Sequence, residues 1–232
     1  MRKLVAIDLG SYRTKAAFKK DGGDYSIVSI RTNVYKVSEI DHTGSEKLLN
    51  EEGMYRVEYE GQNYVVGKYT NLTVNQDEGN MTDLQRVVTY TALTELVDND
   101  EEIDCIVGYP IYEITSVKKR DQYREFFSNG GKQINITVDG VCKMFTIKKI
   151  MFVPTGYGVT KMLEHGRYLC GLLDIGKSVC HGMVYFDGFP VGEMVFEEKL
   201  GYTALVEIAA KRIGDASNNE MAEGILLLDE FL

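Results

Sequence analysis

Proline is scarce, with three residues in 232, and no stretch is of low complexity, which excludes a long disordered tether. The three histidines, His42, His165 and His181, stand singly, so a zinc site has almost nothing to build on. Four cysteines, Cys105, Cys142, Cys170 and Cys180, form no Cys-x-x-Cys pair and sit mostly within apolar runs. Buried reduced thiols are therefore expected rather than a disulfide framework. Missing too is any apolar run of roughly 18 residues that a membrane helix needs. The opening Met1-Arg2-Lys3-Leu4-Val5-Ala6-Ile7-Asp8 places an acid where a secretory hydrophobic region continues, and a cytoplasmic protein without membrane contact is expected. Basic charge is in deficit: 26 Lys and Arg face 35 Asp and Glu, for a net charge of −9. Direct nucleic-acid binding through a basic face is a poor fit to that balance.

What is present is an ordinary soluble composition, 44% hydrophobic and 26% charged, in a chain long enough to bury a substantial core or to divide into two lobes. Leu4 to Leu9 is a short apolar run ended by Gly10, Thr14 to Phe18 resumes the pattern, and Asp21-Gly22-Gly23-Asp24 turns into a third strand at Tyr25 to Ile30. Residues 35–80 read as a small β-rich insertion, with Tyr55, Val57 and Tyr59 on one side of a strand and Gly61 turning into Tyr64 to Val66. Leu84, Val87, Val88, Ala92, Leu93 and Leu96 recur at helical spacing behind Thr82 or Asp83 as the N-cap. Then come a buried strand at Ile103 to Tyr109 and a polar helix at Lys118 to Ser128. A hairpin follows around Asp139-Gly140, then a strand at Lys149 to Val153 and a helical stretch from about Gly158 to His165.

The second half restarts the pattern. Leu169 to Asp174, Val179 to Phe186 and Glu193 to Glu197 read as strands joined by turns at Gly176 and Asp187-Gly188. Amphipathic helices follow at Thr203 to Ile213 and at Asn219 to Leu232. Ala6-Ile7-Asp8-Leu9-Gly10 is echoed by Leu172-Leu173-Asp174-Ile175-Gly176, a repeat that suggests two lobes of similar topology, set here at residues 1–168 and 169–232.

Each echo ends a buried strand with a carboxylate two residues before a glycine that opens a tight turn, where backbone N–H groups can approach an anion closely. An Asp-x-Gly turn is common as plain hairpin chemistry; two copies at matched topological positions point instead to a polyphosphate clamp. A bare carboxylate repels phosphate, so Asp8 and Asp174 make sense there beside Mg²⁺ that keeps several of its waters. Lys15, on the second strand, supplies a balancing point charge.

Ile7-Asp8-Leu9-Gly10-Ser11-Tyr12-Arg13-Thr14-Lys15 resembles the first phosphate loop of the actin-like ATPases, and Leu173-Asp174-Ile175-Gly176-Lys177-Ser178-Val179 resembles the second. Ile106-Val107-Gly108-Tyr109-Pro110 is similar to the Gly-x-Pro strand end of the bacterial members. Gly166-Arg167, Asp187-Gly188 and Leu200-Gly201-Tyr202-Thr203-Ala204-Leu205 also sit where such chains place these residues. The short insertion most resembles that of the ParM-type plasmid-segregation actins. The resemblance implies an α/β, actin-like fold of two RNase H-like lobes with mixed sheets. It also implies ATP or GTP with Mg²⁺ in the cleft, and self-assembly into filaments that move plasmid DNA through an adaptor DNA-binding protein. It assigns nucleotide contacts to Asp8, Gly10, Ser11, Tyr12, Arg13, Thr14, Lys15, Asp174, Gly176, Lys177 and Ser178, and metal contacts to Asp8 and Asp174.

Three departures bear on those expectations. From Met151 to Lys161 there is no Asp, Glu, Asn or Gln to position an attacking water. Thr155 lies nearest that slot as the catalytic candidate, and weak triphosphatase activity is expected. Lys177 and Ser178 stand where the family uses small or polar residues. Family chains also continue past the equivalent of Leu232 with the glycine-rich adenosine loop, so the second lobe reads as incomplete. A non-hydrolysing actin-fold structural protein and a small-molecule kinase of the same superfamily are the alternatives.

Overall fold

The computed structural model describes residues 2–39, 53–68, 81–109, 116–162, 169–177 and 179–217. Ser178, Tyr69, Pro110, Gly166-Arg167 and the terminal helix expected over 219–232 lie outside the described residues. The chain divides into two compact units, Met1–Thr155 and Gly156–Leu232.

In the first unit the strands are β1 (Lys3–Leu9), β2 (Arg13–Lys19), β3 (Tyr25–Arg31), β4 (Val34–Lys36), β5 (Met54–Tyr59), β6 (Gln62–Gly67), β7 (Glu101–Tyr109), β8 (Ile134–Val138) and β9 (Val141–Pro154). They form one mixed sheet in the order β3-β2-β1-β7-β9-β8-β5-β6-β4. β1, β7 and β9 are parallel, and the remaining pairs are antiparallel. The insertion strands thus extend the main sheet, because β5 pairs with β8 through Val57 and Val138.

The sequence reads Cys142 to Ile147 and Lys149 to Val153 as two strands, whereas β9 is continuous. Ile103 pairs with Ile147 but Asp104 pairs with Lys149, so Lys148 is an extra residue on β9. Such a bulge flips the side-chain alternation without ending the strand, and the broken alternation is what the sequence shows.

Helix α1 (Asp83–Thr94) begins at Thr82, whose hydroxyl accepts from the Gln85 N–H at 3.1 Å, an ordinary N-cap. Its threonines are buried, and they satisfy their hydroxyls on the helix itself: Thr89 donates to the Gln85 carbonyl, Thr91 to Val87 and Thr94 to Thr91. This local bonding lets a run poor in helix propensity stay helical. The helix buries Val87, Val88, Tyr90, Ala92 and Leu93 in a core with Val5, Ile7, Ile103, Val107, Ile136, Phe145 and Ile147. The Tyr90 ring meets Tyr59 and Phe145 edge-on at 5.5 and 5.9 Å, and its hydroxyl donates to the Phe127 carbonyl at 3.0 Å. Lys143 on β9 donates to the Thr94 and Val97 carbonyls at 2.7 and 2.8 Å, satisfying groups that a helix end leaves open. Helix α2 (Val117–Phe127) adds Tyr123 and Phe127 to the core, with Tyr109 and Tyr123 edge to face at 4.9 Å.

Tyr59 and Tyr64 are core residues, so they serve cross-strand packing rather than an exposed tyrosine surface. The cysteines are free: Cys105 and Cys180 are buried as expected, but Cys142 is exposed and Cys170 half-buried.

In the second unit, the helical turn α3 (Tyr157–Thr160) follows Gly156, which holds φ of 80°. A side chain at Gly156 would run into Leu172. That packing ties the turn to β10 (Leu169–Ile175). β10 pairs with β11 (Cys180–Phe186) and β11 with β12 (Phe189–Glu198), all antiparallel, before helix α4 (Tyr202–Ser217). Among the described residues no helix is long and apolar enough to cross a membrane.

Candidate functional site

In the first unit β1 delivers Asp8 to the sheet edge, and Gly10 to Tyr12 turn the chain back into β2. A Cβ on Gly10 would lie 2.6 Å from the Arg13 carbonyl oxygen, a separation real Cβ atoms do not tolerate. The turn is therefore closed to any other residue without a backbone shift. Asp8 pairs directly with Lys15 across the ladder, and Lys15 Nζ lies 3.3 Å from Asp8 Oδ2. Both side chains are more than half exposed, at 58% and 56% for Asp8 and Lys15. In water such a pair contributes little to folding, which leaves both groups available to a ligand.

Behind the turn stands Thr32, a residue that the sequence does not single out. Its hydroxyl donates to the Gly10 carbonyl at 2.7 Å and its N–H to the Tyr12 carbonyl at 3.0 Å. With that proton committed, the buried Thr14 hydroxyl is the donor in the 3.1 Å Thr14–Thr32 contact. Two carbonyls of the turn are thus held from Thr32, just past the end of β3, and the turn's N–H groups are not consumed by this brace. Ser11 and Tyr12 lie in the turn itself, and the Tyr12 ring carries the Arg31 guanidinium at 3.6 Å.

Thr155 follows β9 at the same end of the parallel strands at which β1 delivers Asp8. Ile7 pairs with Val107 on β7, and Tyr109 on β7 pairs with Pro154 on β9. The Thr155 hydroxyl donates to the Tyr109 carbonyl at 3.3 Å and its N–H reaches the same oxygen at 3.2 Å. Ligand crevices of parallel sheets lie outside the carboxyl ends of the strands, and Thr155 shares that edge with the first turn.

The second unit repeats the turn. A Cβ on Gly176 would lie 2.9 Å from the Val179 carbonyl oxygen, the same three-residue offset as between Gly10 and Arg13. Asp174 pairs across the ladder with His181, and His181 with Glu197 on β12; His181 Nε2 is 3.0 Å from Glu197 Oε2. Extending the sequence echo seven residues past each aspartate aligns Lys15 with His181, the signal that identifies this histidine. The carbonyls of Gly176 and Lys177 accept from the Tyr202 and Thr203 N–H groups at 2.9 and 3.0 Å, so the turn caps helix α4.

A metal-binding test can be put to these donors. Among the described residues no group of three or more His, Cys, Asp or Glu side chains converges on one point. Asp8 in the first unit and Asp174 in the second each offer a single carboxylate, the kind of ligand taken by Mg²⁺ that fills its coordination sphere with waters and phosphate oxygens. The donors fit the ion on that basis and do not suit a metal held by protein alone. Cys105 is no alternative nucleophile: burial first, and the Asp104 charge second, push its thiol from 9.0 up to about 12.

The model of the N-terminal domain of actin like proteins matches residues 6–158. Among solved structures, the Alp12 filament structure is 19% identical with a TM-score of 0.65, and the match covers 90% of this chain and 65% of that one. The crystal structure of apo psk41 ParM protein is 14% identical with a TM-score of 0.68, covering 99% of this chain and 79% of that one. The AlfA filament bound to AMPPNP is 21% identical with a TM-score of 0.64, covering 94% and 78%. The chain thus spans about two thirds of the Alp12 chain's length. No curated protein matches the sequence.

Proposed function

Since the chain belongs to the actin-like proteins through their N-terminal domain, we propose that it binds a nucleoside triphosphate, ATP or GTP, with Mg²⁺ and self-assembles into filaments. The proposal extends to a cytoplasmic role in plasmid segregation through an adaptor DNA-binding protein, in keeping with the acidic net charge of −9. The observation that carries the nucleotide reading is the first turn. Gly10 is closed to a side chain, two carbonyls are braced from Thr32, and an exposed Asp8–Lys15 pair flanks the turn. Filaments among the similar folds, and AMPPNP bound in one of them, support the assembly and the nucleotide.

In this reading the backbone N–H groups of Gly10 to Thr14 and the Lys15 ammonium bind phosphate oxygens. Asp174, Gly176, Lys177 and Ser178 give the second phosphate contact. Asp8 and Asp174 are the residues that would hold Mg²⁺ through its waters, and the ion would supply positive charge to the phosphates. Thr155 orients the attacking water as far as a hydroxyl can.

Titration calorimetry with Mg-ATP and Mg-GTP tests the binding. Asp8→Ala, Asp174→Ala and Lys15→Ala are each expected to weaken it by about 1–2 kcal/mol, as exposed charge-assisted contacts do. Wild-type affinity in all three variants rejects the reading. Nucleotide-dependent pelleting tests the filament, and steady phosphate release without an acceptor distinguishes a triphosphatase from a small-molecule kinase. One observation favours a second reading, a polymer without turnover: the Thr155 hydroxyl is engaged with the Tyr109 carbonyl in a segment that has no carboxylate or amide.

A further inference from the structure

The sheet of the second unit has two faces, and they differ in what covers them. One turns Met183 and Tyr185 inward, both buried, and on that side Leu172 packs against Gly156. The register sets Leu169, Leu173 and Ile175 of β10 on the opposite face, together with Phe186 of β11 and Phe189 and Phe196 of β12. These six side chains are between 49% and 71% exposed. An antiparallel sheet with one face in water alternates apolar with polar residues, whereas here the outward positions are apolar as well. A contiguous apolar surface of this kind marks an interaction site.

Size and charge indicate the occupant. Half-exposed side chains of this bulk present on the order of 100 Å² each. Six of them make about 600 Å² per copy and about 1,200 Å² for two, the lower bound of a specific interface. Among the described residues of this face the strands place one charge, Glu198, and Lys161 stands at the rim, 6.0 Å from the Phe189 ring centroid. An uncharged centre selects no partner of opposite charge and matches itself, as a two-fold contact requires. Gly171 has nothing within 4 Å of where a Cβ would stand, so a hollow lies between Leu169 and Leu173 that an apolar side chain of a second copy fits.

We propose that this face is a contact between two copies of the chain, packed sheet on sheet about 10 Å apart. The contact closes at two copies. It is therefore separate from the open, head-to-tail contact that a filament needs, and it does not depend on the nucleotide reading.

The test is sedimentation of the full chain without nucleotide over a range of concentrations, with the dye ANS reporting open apolar surface. A monomer–dimer equilibrium is expected, with a dissociation constant in the micromolar range or below, the span of interfaces near this size. It is expected to tighten as salt rises, because each copy carries −9 and salt screens that repulsion. ANS fluorescence per chain is expected to fall as the dimer forms. Leu169→Lys and Leu173→Lys are each expected to raise the dissociation constant about tenfold or more, as the loss of a well-packed interface residue does. Leu173→Ser, a milder change, is expected to act in the same direction, and circular dichroism checks that each variant is folded. Ile27→Lys, at a side chain of the first unit as exposed as Leu169, is expected to change nothing. A chain that stays monomeric at roughly 100 μM, far above that range, overturns the proposal: with ANS bound the face serves another partner, and without ANS the chain covers it itself. Dimers that persist in all three leucine variants, or that dissociate in Ile27→Lys, overturn it too, because the contact then lies elsewhere. Every one of these outcomes leaves the nucleotide reading standing.

Discussion

Asp174 stands directly across the β10–β11 ladder from His181, the position that Lys15 occupies opposite Asp8. The two turns share the glycine, its close approach to the carbonyl three residues on, and the carboxylate. They differ in the cation, an ammonium in one and an imidazole leaning on Glu197 in the other. Replacing His181 by Lys reproduces the first pair in the second unit. Because exposed cross-strand pairs contribute little, His181→Lys is expected to keep stability within about 0.5 kcal/mol of wild type. A larger loss in denaturant melts would give the His181–Glu197 contact a structural weight that its exposure does not predict.

Gly10→Ala and Gly176→Ala place a methyl within 2.6 and 2.9 Å of a carbonyl oxygen, whereas Gly158→Ala meets nothing within 4 Å. The first two are expected to cost about 1–3 kcal/mol of stability, as forced overpacking does, and to weaken nucleotide binding. Gly158→Ala is expected to do neither. Chemical denaturation of the three variants in parallel decides the matter, and equal melts would mean the turns relax freely.

Two buried tyrosines separate hydroxyls that are bonded from those that are not. Tyr90 donates to the Phe127 carbonyl, while the buried Tyr59 hydroxyl makes no well-formed hydrogen bond among the described residues, with only Glu60 and Arg86 near it. Tyr90→Phe leaves a carbonyl unsatisfied and is expected to cost about 1–2 kcal/mol, whereas Tyr59→Phe is expected to be neutral or stabilising. Thermal melts check both, and a loss in Tyr59→Phe equal to that in Tyr90→Phe would contradict this account.

Cys105 has a folded-state thiol raised from 9.0 to about 12 by burial. A raised folded value means the unfolded chain releases its proton first, so this contribution is whole below about pH 9 and is lost as pH climbs toward 12. Relative to Cys105→Ala, wild type is expected to lose up to about 1.4 kcal/mol per pH unit in that window. A constant difference between pH 8 and 10.5 would show that the thiol is not shielded. At pH 8 the exposed Cys142 should be alkylated in the folded protein, and Cys105 should not.

Thr155→Glu or Thr155→Gln is expected to raise phosphate release from a wild-type rate below about 1 per second, since a positioned base is worth about 10² to 10⁴-fold. An unchanged rate in both variants, or a fast wild type, removes Thr155 from the role.

The local elements were legible because their signals are local. Thr82 marked the start of α1, Gly10 and Gly176 marked turns, and alternation marked β1, β2 and β7. The union of β5 with β8 was not, because a pairing between Val57 and Val138 leaves no trace in either segment. The bulge at Lys148 was visible only as a lost alternation, which reads equally as a strand end. At the candidate site the aspartates and glycines stood out by repetition. Thr32 did not, because its importance comes from the register of β3 on β2, which sets it behind the turn, and not from any motif.

The bonding between the second turn and helix α4 gives that turn a mechanical reach. Its Gly176 and Lys177 carbonyls hold the first amides of a helix that runs to Ser217, about 1.5 Å per residue along its axis. The turn cannot be displaced without either breaking two hydrogen bonds or tilting that helix as a lever. A change of shape at Gly176 would be read out, amplified, at the far end of α4.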